Sequence, residues 1–206
     1  MSDIDYRLYL VTDTACLKHQ TLLAAVEEAL AAGVTLVQYR AKLALGGEMY
    51  STALRLQVLC AKYKVPLIIN DRLDVALAVG AAGVHLGQDD LPVQVARRLA
   101  GPDFLIGATA HNVAEARKAA AEGASYLGCG AVFTTQTKLD TVPLGLAGLK
   151  AIREAVKVPL VGIAGITASN YREVLATGAD GAAVVSAILG AESIKAAVQE
   201  FLRAGC

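Results

Sequence analysis

The sequence predicts an α/β fold, a (β/α)8 TIM barrel formed by a single domain over residues 1–206. Short apolar segments alternate about eight times with longer segments of helical periodicity, which is the pattern of a parallel sheet with crossover helices. The chain is 55% hydrophobic with few aromatics and no Trp. We therefore expect an aliphatic core, as in parallel strands covered by helices on both faces. A doubly wound open sheet is the alternative, although it usually contains fewer strands.

The first part of the chain contains four strands and three helices. Apolar residues recur at helical spacing from Leu22 to Leu30, and Gly33 ends that helix. The Gly pair at 46–47 breaks the chain before the second helix, and Pro66 introduces the third strand. We therefore predict strands at 6–12, 34–39, 67–70 and 84–86, and helices at 21–32, 48–62 and 75–79.

The second part repeats the pattern. Pro92 suits the first turn of the fourth helix, and Asn112 suits the N-cap of the fifth. The longest polar stretch, 134–145, separates the sixth strand from the sixth helix, and Pro159 introduces the seventh strand. We predict helices at 92–99, 112–122, 146–156, 169–176 and from 191 to the C-terminus, and strands at 104–108, 126–133, 160–163 and 181–185.

The charge balance and the cysteines argue against several classes of function. Lys plus Arg equal Asp plus Glu at 19 each, so no net charge draws the chain to nucleic acid or to a membrane. No apolar run has the length of a membrane span, and the N-terminus resembles no secretion signal, which predicts a cytoplasmic protein. The four cysteines match no zinc-binding pattern. The oligomeric state stays open, with a homodimer as one expected form.

Two carboxylates end neighbouring predicted strands in the stretch 67–90. Asp71 follows the third strand and Asp90 follows the fourth. Because parallel neighbours end at the same edge of the sheet, both carboxylates can face one volume, where they would suit a hard cation such as Mg²⁺. The alternative is that Asp71 and Asp89 are helix N-caps, a commoner role for Asp after a strand.

Cations also collect after the predicted strands, where barrel active sites are assembled. Arg40 and Lys42 follow the second strand, and Lys138 follows the sixth. With Asn70 and a bound metal, they could hold a highly charged group such as a diphosphate. The alternative is that each cation is a solvated surface charge.

A second anion site is predicted at the ends of the seventh and eighth strands, where barrels often bind one phosphate through backbone N–H groups. Gly165 would let a phosphate approach the backbone closely, and Val185 and Ser186 lie opposite. The alternative is that Gly165 only makes a tight turn.

Two anion sites at one mouth indicate a reaction that joins a phosphorylated molecule to a diphosphorylated one. The chain has no Walker A loop, and no Ser-His-Asp or Cys-His set is recognisable. His111 is a candidate general base, but we expect it to be an exposed residue at a helix start. His85 lies inside an apolar strand, which is typical of a core histidine with satisfied hydrogen bonds.

Several of these segments together resemble one known family. They are YLVTD, VQYRAK, LIINDRLDVALAVGAAGVHLGQDD, GATAH, YLGCGAVFTTQTK, VPLVGIAGI and GADGAAVVSAI, which run in order from about residue 9 to residue 188. The set resembles the thiamine phosphate synthases. The resemblance implies the (β/α)8 fold and the condensation of a hydroxymethylpyrimidine diphosphate with a thiazole phosphate, releasing pyrophosphate with Mg²⁺. It also implies a dissociative route, in which diphosphate leaves first and the thiazole nitrogen then attacks a pyrimidinylmethyl cation.

Carried over position by position, the resemblance implies four groups of site residues. Asp71 and Asp90 are implied as Mg²⁺ ligands, and Gln38 and Thr109 as contacts to the pyrimidine. Separately, the stretch 134–145 contains Lys138 and is long enough to fold over the mouth, so we expect it to act as a lid. The implied diphosphate contacts are Arg40, Lys42, Asn70 and Lys138, and the implied thiazole phosphate contacts are Thr135, Thr137, Gly165, Val185 and Ser186.

The chain departs from the family pattern at three positions. Thr109 stands where Ser is usual, Ala131 where Pro is usual, and Ala164 replaces the first Gly of a common GGI. None of these changes removes a charge or an implied metal ligand, so the pyrimidine fit and the loop geometry are affected more than the reaction class.

Three rival functions remain. A thiazole tautomerase of related fold typically has a His near the position of Ala131 and lacks the diphosphate residues. A phosphosugar isomerase or epimerase would explain Gly165 and Ser186, but not the paired carboxylates with their cations. A non-catalytic sensor would bind the product without forming it.

Overall fold

A computed structural model describes residues 4–18, 20–134 and 143–205. Eight parallel strands form a closed barrel in chain order, with each strand hydrogen-bonded to the next and the eighth to the first. The predicted (β/α)8 barrel is therefore confirmed. The strands are β1 Leu8–Val11, β2 Leu36–Tyr39, β3 Leu67–Asn70, β4 Gly83–Leu86, β5 Leu105–Ala110, β6 Tyr126–Cys129, β7 Leu160–Ile163 and β8 Gly181–Val184.

Helices follow the strands and cover the barrel from outside. Their bounds are α1 Leu22–Ala32, α2 Gly46–Lys62, α3 Leu73–Ala78, α4 Val93–Ala100, α5 Val113–Ala121, α6 Gly145–Ala155, α7 Tyr171–Ala176, α8 Ser186–Leu189 and α9 Ile194–Ala204, with a short 3-10 turn at Thr14–Cys16 after β1. In the described ranges, no helix combines the length and the apolar composition needed to cross a bilayer.

The core has two layers, because successive strand residues point to opposite faces. Leu8 and Leu10 of β1 point outward into an aliphatic layer against the helices, as the composition predicted. Tyr9 and Val11 point inward, where they pack with Tyr126 inside the barrel. The inner layer is still mostly aliphatic, as expected, but three tyrosines that the composition did not predict pack among its aliphatic residues.

Two strands differ from prediction in ways that affect the site. The sixth was predicted at 126–133, but β6 ends at Cys129, which pairs with Gly162. The next hydrogen bond between these two segments runs from Val132 N to Ile163 O. The chain after β6 therefore advances three residues while β7 advances one, and residues 130–131 take no part in the strand pairing. The fifth was predicted to end at 108, but β5 continues to Ala110 because Thr109 pairs with Gly128. Thr109 is thus part of the barrel wall.

The helices α2, α3, α7 and α9 start two or three residues from their predicted positions, and one helix, α8, was not predicted. The Gly pair at 46–47 opens α2 rather than preceding it, since the first helical turn has free N–H groups in any case. A four-residue helix, α8, begins at Ser186, directly after the predicted end of the eighth strand. The last helix begins at Ile194 rather than 191, because the Ser193 hydroxyl accepts from Ala196 N and caps it.

Candidate active site

A cavity of about 720 Å³ opens at the carboxyl ends of the strands, and every strand of the barrel contributes to its wall. This volume suits a small-molecule site. Most of the residues predicted from strand ends lie in this wall, which confirms that they share one volume. Those in the described ranges are Gln38, Arg40, Lys42, Asn70, Asp71, Asp90, Thr109, Gly165, Val185 and Ser186.

Asp71 and Asp90 form the acidic part of the wall. Neither Asp71 nor Asp89 is a helix N-cap, since α3 is preceded by Arg72 and α4 by Pro92, so the alternative of capping was wrong. Asp71 has φ 64°, a left-handed conformation that is strained for a residue with a side chain. Its N–H donates to the backbone oxygen of His85 at 2.8 Å, which holds the end of β3 against β4.

The two carboxylates are close enough to affect each other. Burial, and then hydrogen-bonding proximity to Asp71, raise the pKa of Asp90 above its usual value. The Asp90 carboxylate accepts from Gly87 N at 2.7 Å, and a Cβ at position 87 would lie 2.9 Å from it. The Lys42 ammonium lies 2.5 Å from Asp71 and partly neutralises the pair.

This pair fits a Mg²⁺ ion bound with few protein ligands. In the described part of the chain, no group of three or more His, Cys, Asp or Glu side chains could hold a metal. Mg²⁺ characteristically takes one or two carboxylates and completes its shell with water and substrate phosphate. The donor set therefore suits Mg²⁺ better than Zn²⁺, which prefers three or four protein ligands.

Arg40 is held by a residue that sequence reasoning missed. Its guanidinium lies 3.1 Å from the Asp13 carboxylate, and its backbone N–H donates to the fully buried Thr12 hydroxyl at 3.0 Å. Asp13 lies two residues after the end of β1 and directly after the predicted first strand, so the rule that found the other strand-end residues could have found it. Arg40 and Lys42 are both ion-paired in the cavity wall, and their side chains keep about a third and a half of their surface exposed.

Five side chains form a continuous run of hydrogen bonds through the inner wall. Gln38 Nε2 donates to the Tyr9 hydroxyl at 2.7 Å, and this hydroxyl lies 2.8 Å from that of Tyr126. His85 lies 3.1 Å from the Tyr126 hydroxyl through Nδ1 and 3.1 Å from the Thr109 hydroxyl through Nε2. Burial raises the pKa of both tyrosines and lowers that of His85 to about 4, so all three are neutral at pH 7.

His85 is therefore the satisfied histidine that the sequence predicted, although it also lines the cavity. Tyr9 and Tyr126 were missed. Tyr9 alternates with outward-facing leucines in β1, and this period of two could have shown that it points into the barrel. His111 was expected to be an exposed helix-start residue. It precedes the Asn112 cap but is half-buried in the cavity wall, with Nδ1 3.0 Å from Glu115.

The predicted second anion site lies on the opposite wall. Gly165 has φ 66° and follows Ala164, which has φ 80°. A Cβ at position 165 would lie 2.7 Å from the Thr134 carbonyl oxygen, so the tight turn is real and only glycine fits it. Val185 and the start of α8 face the same cavity. Thr135, Thr137, Lys138 and most of the proposed lid lie outside the described residues.

Comparisons with known proteins bear on this cavity. The relatives named thiamine-phosphate synthase include one from Clostridium acetobutylicum, 49% identical over 95% of this chain and 92% of the relative. Another, from Chloroflexus aurantiacus, is 50% identical over 96% of this chain and 91% of the relative. A solved thiamine phosphate pyrophosphorylase from Pyrococcus furiosus superposes with TM-score 0.91 and 43% identity, covering 98% of this chain and 96% of that one.

A solved 3-hexulose-6-phosphate synthase superposes with TM-score 0.68 at 18% identity, a likeness that extends to the fold alone. The family model described as thiamine monophosphate synthase matches residues 8–188. Taken with the near-full-length relatives, this match shows that the chain belongs to the thiamine monophosphate synthase family.

Proposed function

We propose that this cavity forms thiamine monophosphate by joining a hydroxymethylpyrimidine diphosphate to a thiazole phosphate, in its hydroxyethyl or carboxylated form, with release of pyrophosphate. The enzyme is a transferase of thiamine biosynthesis. The observation that carries the proposal is the clustering of paired carboxylates, Asp71 and Asp90, with the cations Arg40 and Lys42 at one cavity mouth. A diphosphate with a divalent metal is the ligand that matches this mixture of charges.

Asp71 and Asp90 would hold the Mg²⁺ ion. When bound, the metal would neutralise negative charge on the leaving diphosphate. Lys42 now contacts Asp71, and its ammonium is half exposed. A diphosphate would offer this ammonium further oxygen partners within reach of its flexible side chain.

Arg40 would hold the diphosphate from a fixed position. Its backbone is bonded to Thr12 and its guanidinium to Asp13, so little conformational freedom remains to be lost when substrate binds. Asn70, at the end of β3, supplies an uncharged amide beside it. Lys138 completes the proposed diphosphate contacts and belongs to the proposed lid at 134–145.

The pyrimidine ring would lie deeper, between Gln38 and Thr109. In the reaction, the bond between the methylene carbon and the diphosphate oxygen breaks, and its electron pair leaves with the diphosphate. The pyrimidinylmethyl cation is stabilised by its own amino-substituted ring. The thiazole nitrogen then donates its lone pair to the methylene carbon and forms the new bond.

This route needs no nucleophile from the protein. The wall must hold the two rings in line, neutralise the leaving group and exclude water. The proposed contacts to the thiazole phosphate are the backbone near Gly165, Val185 and Ser186, with Thr135 and Thr137. The apolar residues Val11 and Ile163 line the same cavity and would limit water near the cation.

The rival tautomerase reading is not supported by the wall. Ala131 lines the cavity at the position where a catalytic His would be expected, and the carboxylates and cations that a tautomerase does not need remain in place. We further propose that residues 1–206 form one catalytic domain. It works in the cytoplasm on small molecules, as a monomer or a homodimer.

A coupled pyrophosphate-release assay tests this function. Both substrates are supplied together and singly, with Mg²⁺ and with EDTA, and thiamine monophosphate is identified by mass. We expect release only with both substrates and metal. Absence of release under all conditions would overturn the proposal, and isomerisation of the thiazole phosphate alone would point to the tautomerase.

A further inference from the structure

The hydrogen-bond run in the inner wall joins two residues that face the proposed pyrimidine. It passes from Gln38 on β2 through Tyr9, Tyr126 and His85 to Thr109 on β5. Both ends line the cavity, whereas Tyr126 in the middle is fully buried. We call these five side chains the polar run.

With the Gln38 amide nitrogen facing Tyr9, the polar run can satisfy its protons in one direction. A hydroxyl has one proton, and a neutral imidazole has one N–H. Gln38 Nε2 donates to Tyr9, so Tyr9 can donate to Tyr126, and Tyr126 to His85 Nδ1. His85 must then be the Nε2–H tautomer and donate to the Thr109 hydroxyl. The one proton left over is that of Thr109, which faces the cavity.

The opposite direction leaves a buried proton without an acceptor. If Tyr126 donated to Tyr9, then Tyr9 would accept twice and its own proton would need a third partner. Among the described residues, Gln38 and Tyr126 are the partners of this hydroxyl, and Tyr9 is 1% exposed. A buried donor left unpaired is destabilising, so the direction that ends at Thr109 is favoured.

The surrounding wall is shaped for the polar run. A Cβ at Gly107 would lie 2.2 Å from Tyr126 Cζ and 2.5 Å from His85 Nδ1, and one at Gly128 would lie 2.9 Å from His85 Cε1. Both neighbouring strands therefore have glycine where these rings need space. Tyr6 packs against the Tyr126 ring with centroids 5.1 Å apart, and its hydroxyl takes no part in the run.

We propose that Tyr9, Tyr126 and His85 are positioning and specificity-determining residues, which couple the orientation of the Gln38 amide to the Thr109 hydroxyl. While Thr109 is the hydrogen-bond donor at the far end, the amide can exchange its oxygen and nitrogen only if every hydrogen bond of the run reverses. Fixed in this way, Gln38 presents an acceptor and a donor that match the amino group and the adjacent ring nitrogen of an aminopyrimidine. An oxopyrimidine presents the reverse pair. An oxopyrimidine could be held only by a flipped Gln38 amide, which would reverse the direction of every hydrogen bond in the polar run.

This inference rests on the proposed function only for the identity of the ligand. The key variant is Tyr126→Phe. Without the Tyr126 hydroxyl, the Tyr9 proton has lost its acceptor and can be satisfied by the oxygen of a flipped Gln38. The matched control is Tyr6→Phe, which removes a hydroxyl from the adjacent ring without breaking the run.

Kinetics provide the first readout, with the aminopyrimidine diphosphate and its oxo analogue as substrates. In Tyr126→Phe we expect the amino-over-oxo preference in kcat/KM to fall about 10-fold, as for one lost or reversed hydrogen bond. KM for the pyrimidine diphosphate should rise, and KM for the thiazole phosphate should not change. Thr109→Val, which removes the hydroxyl, should lose activity, and Thr109→Ser, which restores a hydroxyl, should recover part of what Thr109→Val loses. A preference within 2-fold of the wild type would overturn the proposal.

Nitrogen NMR of the His85 ring provides a readout that needs no turnover. We expect the Nε2–H tautomer in the wild type and in Tyr6→Phe, and a shift toward Nδ1–H in Tyr126→Phe. An Nδ1–H tautomer in the wild type would refute the inference even if pyrophosphate is released. Failure of the wild type to release pyrophosphate would refute the proposed function, while the tautomer result would still decide this inference. Tyr9→Phe, with the same expected loss of preference, replaces Tyr126→Phe if the latter does not fold.

Discussion

The substitution Asp90→Asn should make the protein more stable without metal and less active with it. Asp90 lies beside Asp71, and both burial and this neighbour raise its pKa. Asn keeps an oxygen to accept from Gly87, at 2.7 Å in the native protein, and removes one charge of the pair. The Lys42 ammonium stays with Asp71, so the remaining carboxylate is still paired.

Two opposing electrostatic interactions set the expected change in the free energy of unfolding. Two like charges at about 4 Å near a protein surface repel by about 4 kcal/mol, and the ammonium beside them offsets much of this repulsion. We expect a net stabilisation of about 1 kcal/mol, which raises Tm by about 2–4 °C for a domain of this size. Because a raised carboxyl pKa means that native stability falls as pH rises through it, the variant should lose less stability above pH 4 than the wild type.

Added Mg²⁺ should make the wild type more stable than the variant, which reverses the order expected without metal. A metal that binds only the folded protein stabilises it according to its affinity, and the variant would lack one of the two proposed Mg²⁺ ligands. Thermal unfolding is measured with EDTA and across a Mg²⁺ titration, alongside the pyrophosphate assay, where we expect a loss of about 100-fold or more. Asp89→Asn is the matched control, since Asp89 is the exposed neighbour. A variant less stable than the wild type in EDTA, or equally stabilised by Mg²⁺, would refute the reasoning.

Three further predictions concern individual side chains. Asp13→Asn should raise KM for the pyrimidine diphosphate about 3- to 10-fold, because Arg40 loses its partner at 3.1 Å; an unchanged KM in steady-state kinetics would contradict this. Arg97→Lys should destabilise by about 2 kcal/mol in urea unfolding with kcat intact, because the guanidinium bonds four backbone carbonyls and the Ser125 hydroxyl; equal midpoints would refute it. Ser186→Ala should lose less than about 10-fold in activity, since its backbone N–H remains, whereas Lys138→Ala should cripple turnover; the reverse ranking would exclude these roles.

The architecture, and the edge of the sheet at which polar residues collect, could both be predicted from the sequence alone. Alternating short apolar strands and helices predict the barrel, since each strand must be covered on both faces. The strand ends are readable from where the apolar runs stop, so Asp71, Asp90, Arg40 and Gln38 could be assigned to one edge before any contact was known. The role of each carboxylate could not be predicted in the same way, because a helix cap and a metal ligand look alike in sequence.

Contacts between these residues could be identified only in the folded chain. The Tyr9–Tyr126 contact joins side chains 117 positions apart, and the Arg40–Asp13 pair joins side chains 27 apart. Such pairings depend on barrel closure, on strand register and on which face each side chain occupies. Local spacing carries no information about the register between distant strands. The direction of the polar run was hidden for the same reason, because it depends on which buried protons have partners, and that is known only once the chain has folded.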